Sequence, residues 1–194
     1  NGSSVLGSNV VFTITSGTLS GSGDVTVAGA LVWSSGTMSG SGRTIIAAST
    51  GTLSLSGGTK QLNRVLQNDG TATWTAGLLQ MTGGTFTNNG SFTANSGSTL
   101  TCYGGGGVNA FNNAGAFSKQ GGGTTSFTVN FTGVPFNNTG TVDVQGGTLD
   151  LSAGGVNSNT FTVQSAGTLL FSVSYTHGVG SALSGLGTVT LNGS

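Results

Sequence analysis

Apolar and polar residues alternate along this chain in short bursts, broken by glycine and small polar residues. Thr141–Val144 reads TVDV, QGG follows, and Thr148–Leu151 reads TLDL. Strict alternation turns every second side chain to one face, the pattern of a strand with one side buried. The couplet recurs as DVTV then ALVW, TIIA then TLSL, TATW then LLQM, and SFTA then TLTC. A third, shorter segment follows in most repeats: TMS, TFT, NAF and VPF. No window carries apolar residues at i, i+3, i+4 and i+7 among good helix formers. Gly, Ser, Thr and Val abound instead, which suits strands joined by tight turns. The pattern predicts an all-β chain without helices.

The bursts also repeat at long range. Gly70, Gly90, Gly115 and Gly140 fall at similar points of successive repeats. Four residues before each stands Leu66, Phe86, Phe111 or Phe136, and two residues after each stands Ala72, Phe92, Phe117 or Val142. Asn68, Asn88, Asn113 and Asn138 lie two residues before the glycines. Self-similarity at this period marks a solenoid. A sandwich or barrel also has many short strands, but it does not need identical residues at one corner of successive repeats. The prediction is a three-faced parallel β-solenoid, a β-helix. It forms a single array over residues 1–194, with roughly eight turns of about 24 residues.

In such a stack the Phe residues form inward columns, and the Asn residues sit at a corner. There the Asn amides are expected to bond one another from turn to turn. The corner glycines are expected to supply positive φ. Trp33 and Trp74 fall on inward positions and are assigned to the core. Cys102, the single cysteine, shares a strand side with Leu100 and reads as a small buried hydrophobe.

Composition narrows the functions. Charged residues make up 4% of the chain and the net charge is zero. With no basic patch to neutralise phosphates, nucleic-acid binding is not expected. With no long apolar run or basic amphipathic stretch, membrane insertion is not expected either. Disorder usually goes with low hydrophobicity and high net charge; here 35% of residues are hydrophobic. The chain opens on Asn1 with neither Met nor a signal-peptide pattern. It is expected to be a processed product, an excerpt or a repeat unit of something longer.

Candidate chemistry is thin. Asp143 and Asp150 should face outward from successive strands of one turn, on different faces, with Asp24 and Asp69 turns away. General acid–base pairs need two close titratable groups. His177 is the single histidine, and no local motif supplies it with an Asp partner. It lies in SVSYTHGVGSALSG, the longest departure from the repeat, and reads as a surface loop in contact with Tyr175. Gly104–Gly107 and Gly121–Gly123 lack the Lys-Ser/Thr of a phosphate loop. No catalytic, cofactor-binding or metal-ligating residue is assigned, and no enzyme activity is expected.

The repeats GTLSLSGG, GTATWTAG, FNNTGTVDVQGGTLDLSAGG and SNTFTVQSAGTLLFS resemble those of bacterial surface β-helix proteins. These are the filamentous-haemagglutinin-like adhesins and autotransporter passenger-like repeat proteins. The resemblance covers nearly the whole chain. It implies an extracellular or cell-surface location and a structural or adhesive role, with no catalytic residues to carry over. The expected function is a stiff, uncharged rod whose units stack head to tail on copies of themselves. The opening NGSSVLGSNVVFTI already reads as a strand with no cap over it. In the closing GTVTLNGS, Thr188–Leu191 reads as the start of an unfinished turn. The alternative is a module that binds ice, polysaccharide or another surface through outward Thr, Ser and Asn arrays. Thr-x-Thr recurs at Thr71/Thr73, Thr85/Thr87, Thr99/Thr101, Thr160/Thr162 and Thr188/Thr190. That pattern resembles the flat Thr arrays of some ice-binding solenoids, although the pairs are expected on different faces.

Overall fold

The computed structural model describes residues 2–193. These form a parallel β-solenoid of nine coils with three faces and no helix among the described residues. The first coil contains strands Ser4–Leu6, Val11–Ile14 and Thr18–Leu19, one on each face. The ninth contains Tyr175–His177, Ala182–Gly185 and Thr188–Leu191. The second face is an unbroken nine-stranded sheet, from Val11–Ile14 to Ala182–Gly185. The first and third faces join into one 16-stranded sheet. They merge because Gly36–Ile46 and Lys60–Asn68 run continuously around the corner between them. A register shift between Ser39 and Arg43 absorbs that corner.

Nine coils fit where roughly eight were expected because the pairing step is uneven. It is 19 residues from Thr52 to Thr71 and 25 from Ser91 to Ala116. The couplets read from sequence do not all span the same two faces. DVTV and ALVW lie on the first and second, whereas TATW and LLQM lie on the second and third. Alternation reveals a strand but not which face it occupies. Thr188–Leu191 is likewise not the start of a new turn. It pairs with Thr168–Phe171 and completes the ninth coil. The segment around His177, expected as a loop, forms the first-face strand of that coil and pairs with Gly155–Asn157.

The core is a set of columns. Phe86, Phe111 and Phe136 stack nearly parallel at 4.8 and 5.3 Å between ring centroids. Phe92 stacks on Phe117 at 5.3 Å. The two columns meet edge to face, as in Phe111 and Phe117 at 5.9 Å and 88°. Phe127, from the third face, closes the cluster at 4.9 Å from both Phe111 and Phe136. Offset and edge-to-face pairs add about 0.5–1.5 kcal/mol each beyond burial. Trp33 and Trp74 are fully buried in this core, and Cys102 is buried beside Met81, with 3.6 Å between the sulfurs.

Beside the Phe columns runs an amide ladder. Asn68 Nδ2 donates to Asn88 Oδ1 at 2.7 Å, Asn88 to Asn113 at 2.7 Å, Asn113 to Asn138 at 2.7 Å, and Asn138 to Asn157 at 2.8 Å. Asn157, one rung further than the sequence columns reached, is buried like the others. The ladder has one polarity: every Nδ2 points toward the next coil.

The glycines of the repeat column serve a purpose other than the expected positive φ. Gly70, Gly90, Gly115 and Gly140 have no positive φ. A Cβ on Gly140 would strike the carbonyl oxygen of Gly115, one on Gly115 that of Gly90, and one on Gly90 that of Gly70. Close approach of successive coils, not dihedral freedom, excludes side chains there. Positive φ is found elsewhere, as at Gly36, Gly77 and Gly147 between the second and third faces and at Gly83, Gly107 and Gly154 between the third and first.

Candidate functional site

The outward faces differ in texture. On the second face, two rows of small side chains run along the stack. One row is Thr52, Thr71, Ser91, Ala116, Thr141 and Thr160, and the other is Ser54, Thr73, Thr93, Ser118, Asp143 and Thr162. Strand geometry spaces the rows about 7 Å apart and neighbouring coils about 4.8 Å apart. The Thr pairs separate as expected: Thr71/Thr73 and Thr160/Thr162 lie on this face, Thr85/Thr87 on the first, and Thr188/Thr190 on the third. Thr101 is on a third-face strand, with Thr99 just before it. The third face carries larger groups, including Gln61, whose Nε2 donates to Gln80 Oε1 at 3.3 Å.

Asp143 and Asp150 lie on the second and third faces, each engaged locally. Gln145 Nε2 donates to Asp143 Oδ2 at 2.8 Å and Gln164 Nε2 to Asp143 Oδ1 at 2.9 Å. Hydroxyls of Ser126, Ser152 and Ser172 donate to Asp150. Asp24 is bound by Arg43, whose Nη2 lies 2.7 Å from Oδ2. Hydrogen bonds from the Arg43 side chain and backbone hold the Asp24 carboxyl below its ordinary range. Among the described residues, no three of His, Cys, Asp and Glu gather into a metal-binding group.

The remaining three cations face inward. Lys60 is fully buried, and its Nζ donates to the carbonyls of Ser56, Gly58 and Ala76 at 2.7, 2.8 and 3.2 Å. Lys119 Nζ donates to Gln120 O, Gly121 O and Gly146 O at 2.8–3.0 Å. Arg64 Nε donates to Gly42 O at 2.6 Å. Each ammonium or guanidinium thus ties carbonyls at a corner, with no carboxylate in ion-pair contact among the described residues. Burial lowers the pKa of all three, that of Lys60 to about 8. Composition counts these residues as charges without placing them. Their parity was available: Lys60 alternates in phase with Leu62 and Leu66, and Lys119 with Phe117.

Burial raises the Cys102 thiol well above its ordinary range, so the nucleophilic thiolate is suppressed. Tyr175 is half-buried, and its phenol is also raised by burial.

The two ends of the stack form the third kind of surface. Inward columns that are dry in the middle become exposed there. Leu183 continues the column of Phe161 yet is 46% exposed, and Leu191 continues that of Phe171 yet is 75% exposed. At the other end Leu6, Phe12 and Leu19 are only partly covered. A shallow recess opens there between Phe12, Ile14 and Leu19. Neither end coil contains a charged residue.

Comparison with protein-family models, curated proteins and solved structures finds no match to this chain.

Proposed function

We propose that the protein is a structural and adhesive component of the cell exterior, a stiff, charge-poor rod that lengthens by end-to-end addition of a second copy. The observation that carries this reading is the register of the pairing columns, constant from the first described coil to the ninth, with apolar side chains inward and parallel strand edges that a further coil of the same register would continue. Such edges template further pairing. Continuing the pairing columns across the joint sets Phe12 of the second copy over Leu183, Ile14 over Gly185 and Leu6 over His177. The contact is head to tail, so it propagates instead of closing. Nine coils at ~4.8 Å correspond to an axial period of about 43 Å.

Sedimentation velocity and electron microscopy of the purified chain at rising concentration test the reading. Filaments with that period are expected, persisting from about 10 mM to 1 M salt because the joint has no charges to screen. Leu183→Asp and Leu191→Asp should abolish them while leaving the fold intact. A concentration-independent monomer would sink the proposal.

The second face supports a second reading, a module that binds a flat, neutral lattice such as ice or crystalline polysaccharide. Its two rows of small side chains carry one charge, Asp143, over six coils. Thermal hysteresis, or retention on insoluble polysaccharide, that disappears with Thr73→Tyr would support it. The absence of both effects removes it.

A further inference from the structure

We infer that the third face binds a neutral polysaccharide, laid along the rod against Gln61, Gln80 and Tyr103. The inference rests on the adhesive part of the reading above and gives it a ligand. Pairing sets Thr18, Thr37, Gln61, Gln80 and Tyr103 in one column. They alternate out of phase with the inward Leu19, Met38, Leu62, Leu79 and Cys102, so each points away from the stack. A coil added before Thr18 would lengthen the column without covering it.

Side-chain hydrogen bonds run along the column in one direction. Thr37 Oγ1 donates to Gln61 Oε1 at 3.1 Å, and Gln61 Nε2 donates to Gln80 Oε1 at 3.3 Å. Gln80 Nε2 is left with two donor hydrogens and no acceptor among the described residues. It lies over Gly105, in the space that a Cβ there would take. Gly105 shares a strand with Tyr103, so the free donor is held beside that ring.

Tyr103 is partly exposed, and its side chain makes no ring contact or hydrogen bond among the described residues. The corner beside it holds Phe131, 82% exposed, whose backbone N–H donates to Gly104 O at 3.2 Å. Buried Asn109 ties that corner down: its Nδ2 donates to Thr132 Oγ1 at 2.9 Å, and its Oδ1 accepts from Gly83 N at 2.8 Å. Two aromatic side chains are thus presented to solvent on braced backbone, in a chain that buries Trp33, Trp74 and the Phe columns. Further along, a recess of about 390 Å³ opens between Thr18, Ser35, Thr37, Thr59 and Gln61.

A sugar ring has an apolar C–H face and a rim of hydroxyls. The first suits the electron-rich face of an aromatic ring, and the second suits amide and hydroxyl groups. Coils ~4.8 Å apart match the advance of an extended sugar chain per residue, so the column offers repeated contacts over about 19 Å. Tyr103 apart, the column has no ionisable side chain, and Lys60 beside it is turned inward. A charged polymer finds no counter-charge there.

The test is isothermal titration calorimetry of the intact chain with soluble xyloglucan, galactomannan and dextran, and with polygalacturonate as the acidic comparison. Binding to at least one neutral polymer is expected, and none to polygalacturonate. Tyr103→Ala and Gln80→Leu should each weaken that binding about tenfold, as when a few groups carry the contact. Tyr103→Trp should retain it, and Thr73→Tyr on the second face should leave it unchanged, with circular dichroism confirming the fold of each variant. Absence of binding to all three neutral polymers overturns the site. So does native-like binding by both Tyr103→Ala and Gln80→Leu, loss of binding in Thr73→Tyr, or equal binding of polygalacturonate. Sedimentation of the same samples without polymer separates the two readings. Filaments without binding remove the site and leave the rod; binding by a concentration-independent monomer removes the rod and leaves the site.

Discussion

Tyr175 Oη donates to the carbonyl of Phe136 at 2.7 Å, two coils away along the stack. The bond is made past Gly155, the residue paired with Tyr175 in the coil between. A Cβ on Gly155 would strike that same Phe136 carbonyl, and the residue has φ +143. The missing side chain is the opening through which the phenol reaches. Tyr175→Phe should therefore cost about 0.5–1.5 kcal/mol, the net worth of one hydrogen bond. Gly155→Ala should cost more, because strain and lost contact combine. Denaturant titration of the two variants checks the order; a reversed order would show that the phenol does not depend on the gap.

Phe111→Ala is expected to cost about 3–5 kcal/mol. Phe111 contacts aromatic rings above, below and on both other faces, so the cavity has no easy way to collapse. A loss below about 1 kcal/mol would contradict the column.

Rungs of the amide ladder should not be equal. Asn113→Leu leaves Asn138 Oδ1 without its donor and Asn88 Nδ2 without its acceptor from the ladder. Within the ladder, Asn68→Leu strands only Asn88 Oδ1, and it removes Asn68 Oδ1, a buried acceptor that already has no partner. Each buried orphan costs about 1–3 kcal/mol, so thermal unfolding should rank Asn113→Leu as clearly the more damaging.

Lys60 makes stability depend on alkaline pH. Burial lowers its pKa to about 8, whereas the unfolded chain titrates near the ordinary lysine value of about 10.4. Between those values the unfolded state binds more protons, so stability rises with pH across that window. Cys102 and Tyr175, raised by burial, act in the opposite direction once their unfolded forms ionise. The difference between the native chain and Lys60→Met cancels them. That difference should shift in favour of the native chain by about 1–3 kcal/mol from pH 8 to 10.5. A flat difference would mean that the three carbonyls fully compensate the buried ammonium.

The solenoid and the ladder were legible because both repeat residue for residue: Phe86, Phe111 and Phe136 share one offset, as do Asn88, Asn113 and Asn138. Asn157 escaped because the coil leading to it is short and its column places Gly155, not Phe, two residues earlier. The buried cations escaped for a different reason. Charge suggests solvent, and the parity of Lys60 and Lys119 shows the opposite only when weighed above residue type. Phe131, 82% exposed, stands on a corner excursion that folds back antiparallel on Gly104, a contact no periodicity encodes.

The glycine corner makes rod length a matter of whole numbers. Ala116 N donates to Gly90 O and Thr141 N to Gly115 O, both at 2.9 Å. Excising Ala116–Gly140 would join Gly115 to Thr141 and deliver the Thr141 amide to the acceptor that Ala116 leaves behind. The column residues Val142 and Asn157 would then meet Phe92 and Asn113 in unchanged phase. Recombination between such units can lengthen or shorten the particle by ~4.8 Å per step without new joints. A ruler graduated in coils is thus written into the backbone itself, at positions where only a hydrogen atom fits.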